Sequence, residues 1–226
     1  YTAGQWDTLG VINGVVMTVV QYRDTLLVGG HQVLSCSGEP CSQVAFWDGA
    51  SWRPYGDFGA YSVRKLRVLD GELYAVGGFN EVEGQPATGV AKRVGNSWQP
   101  VGQLNLTSSI QDVAKYDGKL IVIGNLEFPT GRDIAQWDGN EWSLLGPGII
   151  SLISSPICLA VYQGDLYVAG NIPMIPPGNP GQNIMRWDGE QFHALGQGVQ
   201  WWLGDTHSTA TVLTMVEHDG KLFVGG

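Results

Sequence analysis

The amino-acid sequence predicts an all-β fold built from repeated four-stranded antiparallel sheets, and three observations support this. A first motif has a Leu followed four residues later by a Gly, at Leu26/Gly30, Leu73/Gly77, Leu120/Gly124, Leu166/Gly170 and Leu222/Gly226. A second motif has an aromatic residue followed four residues later by a Gly, at Trp6/Gly10, Trp52/Gly56, Trp98/Gly102, Trp142/Gly146 and Phe192/Gly196. Asp-Gly dipeptides such as Asp117-Gly118 and Asp138-Gly139 separate short apolar runs. They indicate hairpin turns, because Gly tolerates a positive φ and Asp tolerates the left-handed region.

The two motifs alternate with a period of about 46 residues, and each period holds four short strands, named A to D here. This is typical of β-propeller blades, which bury their faces only by stacking on neighbours. We predict one β-propeller domain over residues 1–226, with repeat units at about 11–56, 57–102, 103–146, 147–196, and 197–226 plus 1–10. Strand C occurs in only four of the five repeats. Either residues 6–10 complete the fifth blade, or the chain is a window of a longer array.

The connections between strands fall into two classes. A–B connections of about two residues and C–D connections of about four are tight, whereas the B–C and D–A connections vary in length and sequence. Since successive strands alternate in direction, all variable connections emerge on one face of the predicted propeller. Function on a rigid scaffold usually resides on variable loops, so this face is the expected binding surface.

The composition narrows the class of partner. The chain carries 12 Lys plus Arg against 21 Asp plus Glu, a formal net charge of −9, which disfavours nucleic acid and anionic membranes. Residues 142–164 lack charge, but Gly146, Pro147 and Pro156 interrupt them, so membrane insertion is not predicted. No signal peptide is visible, and a chain that starts at Tyr1 is compatible with a leader that has been removed.

The three cysteines indicate the redox compartment in which the protein resides. Cys36 and Cys41 lie in one short polar segment and are predicted to form a disulfide, whereas Cys158 lies in an apolar run and is predicted to be a buried thiol. A metal pair is the alternative, but no second Cys/His pair has suitable spacing. A disulfide favours an oxidising compartment, so we expect a secreted or cell-surface location. No metal or other cofactor is expected.

Repeats of this form resemble those of kelch and galactose-oxidase-like propellers. More closely, they resemble the WDG-type repeats of bacterial secreted or surface proteins and of fungal cortical cell-polarity markers. The glycine doublet is matched by Gly29-Gly30, Gly77-Gly78 and Gly225-Gly226, the first Trp by Trp47, Trp137 and Trp187, and the second Trp by Trp52, Trp98 and Trp142. The resemblance covers almost the whole chain and implies the architecture, but it says little about activity. The galactose-oxidase copper centre has no matching residues here.

The recurring Trp and Asp residues have two interpretations. An aromatic platform for sugars would use the exposed faces of the Trp rings, whereas packing between blades would bury them. We favour packing, because the Trp residues recur in register and one site per blade is rarely needed. The aspartates of the Asp-Gly pairs are likewise interpreted as turn formers.

The D–A connection 197–211 is the longest and contains Trp201, Trp202, Asp205 and His207 outside the repeat register. One interpretation is a ligand site, in which the aromatic rings contact a sugar or a partner and the polar groups bind it by hydrogen bonds. The other is that the connection folds over the channel and buries one Trp. The sequence does not decide between them.

Carboxylates and histidines are the candidate catalytic residues of this sequence. A glycosidase needs two acids ~5–10 Å apart, and the candidates are Asp57, Asp112, Asp133 and Asp205, none of which lies in a motif. His31, His193, His207 and His218 are scattered over different strands and connections. Neither a catalytic pair nor a metal site is therefore predicted. Asn105-Leu106-Thr107 is a candidate N-glycosylation sequon, although such triplets also arise by chance.

These observations predict a non-catalytic, secreted or cell-surface propeller that binds a glycan or an extracellular protein through its variable face. One alternative is a structural module of a longer extracellular protein or filament, in which its partners are further copies or repeats of the same chain. The other alternative is a glycan-active enzyme.

Overall fold

A computed structural model describes residues 8–36, 39–59, 61–150, 153–176, 178–203 and 206–226. All regular secondary structure in these ranges is β-strand, which confirms the all-β prediction. No helix there has the length and apolar character needed to cross a bilayer. The chain divides into two compact units, Tyr1–Val101 and Gly102–Gly226.

The first unit contains two antiparallel meanders. Its first sheet pairs, in order, β1 (Ile12–Tyr22), β2 (Thr25–Cys36), β4 (Val44–Trp47) and β5 (Trp52–Pro54), with the short β3 (Glu39–Pro40) beside the end of β2. Its second sheet pairs β6 (Val63–Leu69), β7 (Glu72–Gly77), β10 (Val90–Val94) and β11 (Ser97–Pro100), and the hairpin of β8 (Glu81–Val82) and β9 (Gln85–Pro86) lies between β7 and β10 in the chain.

The second unit contains two further four-stranded meanders and two hairpins. The third sheet pairs β12 (Leu106–Tyr116), β13 (Lys119–Phe128), β14 (Gly131–Trp137) and β15 (Trp142–Leu144). The fourth pairs β16 (Ser155–Tyr162), β17 (Asp165–Asn171), β18 (Ile184–Trp187) and β19 (Phe192–Ala194). The hairpins are β20 (Gln200–Leu203) with β21 (Thr206–Thr209), and β22 (Thr214–His218) with β23 (Lys221–Gly225). Each complete sheet thus has the predicted strands A to D, and β22 and β23 are strands A and B of the fifth repeat.

Parts of the connections predicted as variable loops are β-structure. Strand β2 continues past Gly30 to Cys36, and β13 continues past Gly124 until Phe128 pairs with Gly131. This pairing gives the backbone amide and carbonyl groups of both segments partners within the protein. The prediction of loops was therefore wrong for much of residues 31–43 and 125–133.

The Gly of the first motif has a steric reason. In each complete sheet, the pairing of strand A with strand B contains a register shift beside this Gly, as between Val63 and Lys65 in β6. A Cβ on Gly77 would lie 2.0 Å from the carbonyl oxygen of Ser62, and one on Gly124 or Gly170 would lie 2.3 Å from the equivalent oxygen. The bulge brings the two backbones so close that only Gly fits.

The packing interpretation is confirmed for Trp52, Trp98 and Trp187, which are buried. The indole Nε1 of Trp98 donates a hydrogen bond to the carbonyl oxygen of Tyr55 at 2.6 Å, and Trp52 bonds the carbonyl oxygen of Leu9 in the same way at 2.6 Å. The next residue after each carbonyl is the Gly of the second motif. A Cβ on Gly56 would lie 2.3 Å from Trp98 Cδ1. The apolar core of each unit accordingly runs between its sheets.

The aspartates of the C–D turns are turn formers, as predicted. Asp48, Asp138 and Asp188 each accept hydrogen bonds from the backbone N–H groups two and three residues later. These bonds lower the pKa of Asp138 and Asp188, and for Asp48 a bond from the Arg53 side chain is the larger cause of the lowered pKa. The second sheet lacks this Asp, and there Val94 pairs directly with Ser97 across a two-residue turn.

Candidate binding site

In three sheets, a buried polar residue within or just before strand C joins the two variable connections. Gln43 accepts a hydrogen bond from the Phe58 amide and donates one to the Gly59 carbonyl oxygen. Asn183 accepts from the Ile172 amide at 3.1 Å and donates to the Val199 carbonyl oxygen at 2.8 Å. These side chains act as clips, because their hydrogen bonds fix the B–C connection to the D–A connection. The end of a sheet at which these two connections lie is called its connection end here.

Asp133 is the third of these clips. Its carboxylate accepts a hydrogen bond from the Ser154 hydroxyl at 2.6 Å, and its side chain is almost fully buried. Burial raises the pKa of Asp133, although the bond from Ser154 opposes this effect. Asp133 occupies the same position in the third repeat as Asn183 in the fourth. Its burial is therefore explained by the repeated hydrogen bonding between connections, without a catalytic role.

Asp112 and Asp57 also bind backbone groups. Asp112 is fully buried, and its carboxylate accepts hydrogen bonds from the amides of Val113 at 2.9 Å and Leu159 at 3.0 Å. It therefore joins β12 to β16, as the Thr18 hydroxyl joins β1 to the Leu66 amide of β6 at 3.2 Å. Asp57 is exposed and accepts a hydrogen bond from the Gly59 amide. Asp57, Asp112 and Asp133 thus have roles in turns or in the packing of backbone segments.

The 197–211 connection contains the β20–β21 hairpin. Trp202 pairs with His207 and Trp201 with Ser208. Adjacent positions of a strand belong to opposite faces of a ribbon, so Trp201 and Trp202 do not share a face of this hairpin. Asp205 lies outside the described residues, as do the side chains of the other three candidates. The ligand role of Trp201, Trp202, Asp205 and His207 stays a prediction.

A groove of about 460 Å³ lies at the start of the third sheet. Its lining residues come from the D–A connection before β12, from the β13–β14 hairpin and from β15: Gln103, Leu104, Asn105, Glu127, Phe128, Pro129 and Trp142. A main-chain hydrogen bond connects the two sides of the groove, since the Glu127 amide donates to the Asn105 carbonyl oxygen at 3.1 Å. The backbone on both sides is thereby joined before any ligand arrives.

The groove combines aromatic surface with polar groups. Phe128 and Trp142 are half-buried, and Gln103, Asn105 and Glu127 are exposed. The Glu127 carboxylate lies 3.2 Å from the guanidinium of Arg132, its cross-strand neighbour. An aromatic face beside amide and carboxylate groups suits a ligand that has both an apolar face and hydroxyl groups. The volume is in the range of small-molecule sites, about 300–1,000 Å³.

The candidate sequon lies at this groove. Asn105 is exposed and lines the groove, and the Thr107 hydroxyl donates a hydrogen bond to the Asn125 carbonyl oxygen at 3.0 Å. A glycan on Asn105 would therefore compete with any ligand for the same space.

Sequence reasoning missed the groove. Glu127 and Phe128 were assigned to a loop, and Trp142 was recognised only as a packing residue. The groove forms because β13 extends beyond the repeat Gly and brings Glu127 beside Asn105. The alternation of apolar and polar residues in Leu126-Glu127-Phe128 was the signal that could have predicted a strand here.

The cysteine and histidine residues in the described ranges do not form a metal cluster. Cys36 and Cys41 are joined by a disulfide, and Cys158 is a free, buried cysteine. His193 Nε2 lies 2.5 Å from the Asp188 carboxylate, and His218 lies 3.4 Å from Asp219. No cluster of three or more potential metal ligands occurs among the residues that the structure describes.

In comparisons with known proteins, neither a family model nor a curated protein sequence matches this chain.

Proposed function

We propose that this chain is a secreted or cell-surface β-propeller domain that binds carbohydrate, without catalysis, at the connection ends of its sheets. Support for the propeller arrangement comes from the first strands of successive sheets, which lie beside one another within each unit: β1 beside β6, and β12 beside β16 beside β22. A propeller places these strands innermost. The Cys36–Cys41 disulfide supports an oxidising compartment.

The groove beside Asn105 is the observation that carries the proposal. It lies where the repeats differ most, whereas the tight C–D turns at the opposite end repeat the same Asp-centred structure in three of the four complete sheets. A pyranose ring has an apolar face that stacks on Phe128 and hydroxyl groups that exchange hydrogen bonds with Gln103, Asn105 and Glu127.

The arrangement of the carboxylates favours binding over hydrolysis. Glycoside hydrolysis needs two carboxyl groups on either side of the scissile bond, one of them able to donate a proton. Asp112 and Asp133 are closed off from solvent and bind backbone amides or a hydroxyl group. Among the residues that the structure describes, Glu127 is the single carboxylate that lines the groove.

A structural role in a longer extracellular protein or filament is the second candidate. The observation that favours it is the exposed apolar surface of the fifth repeat, where Val216 and Phe223, which pair across β22 and β23, are 56% and 51% exposed. Exposed apolar patches on soluble domains usually mark interaction sites.

A glycan array with the full chain tests the carbohydrate proposal. Phe128→Ala is expected to weaken binding to the best glycan by about tenfold or more, about 1.4 kcal/mol, because it removes the stacking surface. Tyr61→Ala is the control, since Tyr61 is an aromatic residue outside the groove and its ring is exposed (49%). No glycan binding, or equal losses for the two variants, would contradict the proposal.

A further inference from the structure

The Gly that ends strand D of one repeat is covered by an aromatic ring of the following sheet. A Cβ on Gly102 would lie 2.3 Å from Trp137 Cζ3, and one on Gly146 would lie 2.4 Å from Trp187 Cη2. In both cases the covering Trp ends strand C and precedes the Asp-Gly turn. Within the second unit, the contact of Gly146 with Trp187 closes the space between the third sheet and the fourth.

Gly196 holds the same position in the fourth repeat, and no described residue covers it. Its φ is +57°, close to the +53° of Gly146, so the backbone has the same turn. Among the described residues, nothing lies within 4 Å of the place where its Cβ would be. No residue that the structure describes therefore covers, on the fourth sheet, the surface that Trp187 covers on the third.

The next strand pair is also incomplete. In the complete sheets strand C pairs with strand B, but no described strand pairs with β23 on the side away from β22. Phe223 of β23 is 51% exposed, whereas the residues at the same position in the complete sheets of the second unit, Ile121 and Tyr167, are 0% and 9% exposed.

The open Gly and the open strand edge belong to one surface. Leu195, which precedes Gly196, packs in the same apolar cluster as Leu222 of β23 and Met215 of β22. A strand added to β23 in the register of the complete sheets would place its final Trp opposite Leu222, as Trp137 lies opposite Leu120 and Trp187 opposite Leu166. By the same equivalence that Trp would cover Gly196.

We propose that Gly196 and the free edge of β23 form a docking site for a β-hairpin of the chain's own repeat type, Trp-Asp-Gly-x-x-Trp. Its first strand adds to β23 through main-chain hydrogen bonds, and its first Trp seats on Gly196. The hairpins at Trp47, Trp137 and Trp187 already pair with strand B of their own sheets, so the occupant is a hairpin from a further repeat. The site is separate from the carbohydrate groove and does not depend on that proposal.

The test uses a cyclised peptide of residues 131–146 added to the full chain, with amide hydrogen exchange as the first readout. Saturating peptide is expected to slow exchange by about tenfold or more at those amides of residues 221–225 that point away from β22, because they gain hydrogen-bond partners. A peptide carrying Trp137→Ala is expected to lose this protection. Absence of protection at β23 overturns the proposal.

Two matched glycine variants supply the second readout. Gly196→Ala is expected to weaken peptide binding by about tenfold or more, because the new methyl group takes the place of the Trp ring. Gly164→Ala is the control, since Gly164 also has a positive φ (+87°) and open space around it but lies in the A–B turn of the fourth sheet. Equal affinity for the two variants overturns the proposal. Binding that occurs only after residues 1–7 are deleted also overturns it, because those residues of the chain itself are then the occupant.

Discussion

At the scale of single residues, glycine allows close approach both between the backbones of paired strands and between a backbone and an indole ring. The two repeated Gly positions have different causes. Gly77, Gly124 and Gly170 face a backbone carbonyl across a bulge, whereas Gly56, Gly102 and Gly146 face an indole ring. Each excludes a Cβ for a reason that involves its neighbour, so the glycine pattern of the sequence records packing as well as turns.

Gly146→Ala and Gly196→Ala separate these two effects. The two residues have similar φ angles, +53° and +57°, and both are exposed. Each Ala is expected to cost about 1–2 kcal/mol for the left-handed backbone. Gly146→Ala should cost about 1–3 kcal/mol more, because its methyl group overlaps the Trp187 ring. Denaturant unfolding measures both, and equal losses of stability would show that the Trp contact does not restrict this position.

Asp133 makes stability depend on pH in an unusual direction. Burial raises its folded-state pKa, so between the ordinary pKa of about 3.9 and the raised value the native state holds more protons than the unfolded state. Stability contributed by this group therefore falls as the pH rises through that window. Asp133→Asn, which copies Asn183, should remove this fall and leave the protein at least as stable at pH 7. Unfolding measured from pH 4 to pH 8 checks this.

Asp138→Asn is the control with the opposite sign. Backbone hydrogen bonds from Glu141 and Asn140 lower the pKa of Asp138, so its contribution is present above the unfolded pKa of about 3.9 and is lost as the pH falls towards the folded value. This variant should be less stable at neutral pH, and acidification should reduce its stability less than that of the unaltered chain. The same direction of change for both variants would contradict the assignment of Asp133 as a buried clip.

At the scale of elements, the disulfide joins the end of β2 to the segment after β3. Cys36→Ser together with Cys41→Ser should lower the free energy of unfolding by about 2 kcal/mol, the chain-entropy value for so short a loop. Thiol counting of the unreduced, denatured protein should find one free thiol, from Cys158. Three free thiols, or unchanged stability of the double variant, would contradict this role.

The strands and tight turns could be predicted from the sequence, and the connection ends could not. Leu–Gly spacing and Asp-Gly pairs are local signals, so strands A to D followed from them. Gln43, Asp133 and Asn183 gave no such signal, because Gln43 bonds Phe58 and Gly59, Asp133 bonds Ser154, and Asn183 bonds Ile172 and Val199, all in connections of variable length. The Asn105 groove was missed for the same reason, since its two sides meet only through the extension of β13.

At the scale of the whole molecule, two locations on the connection ends compete for the binding role. The first is the groove beside Asn105, and the second is the β20–β21 hairpin with Trp201 and Trp202. If the hairpin is the site, replacing both Trp residues by Ala should cost about 2–4 kcal/mol of binding with little loss of folding stability. If the groove is the site, this double variant should bind the array's best glycan as tightly as the unaltered chain. Titration of that glycan, with unfolding measured in parallel, decides.

Hydrogen exchange of the full chain, with and without the best glycan, is the measurement that tests the central claim most directly. The claim is that the connection ends bind and the tight turns are scaffold. Saturating glycan is expected to slow amide exchange in residues 103–106 and 125–129, which border the groove, while the turns after Asp48, Asp117 and Asp188 keep their rates. Protection concentrated in those turns, with none in either segment that borders the groove, would contradict the account.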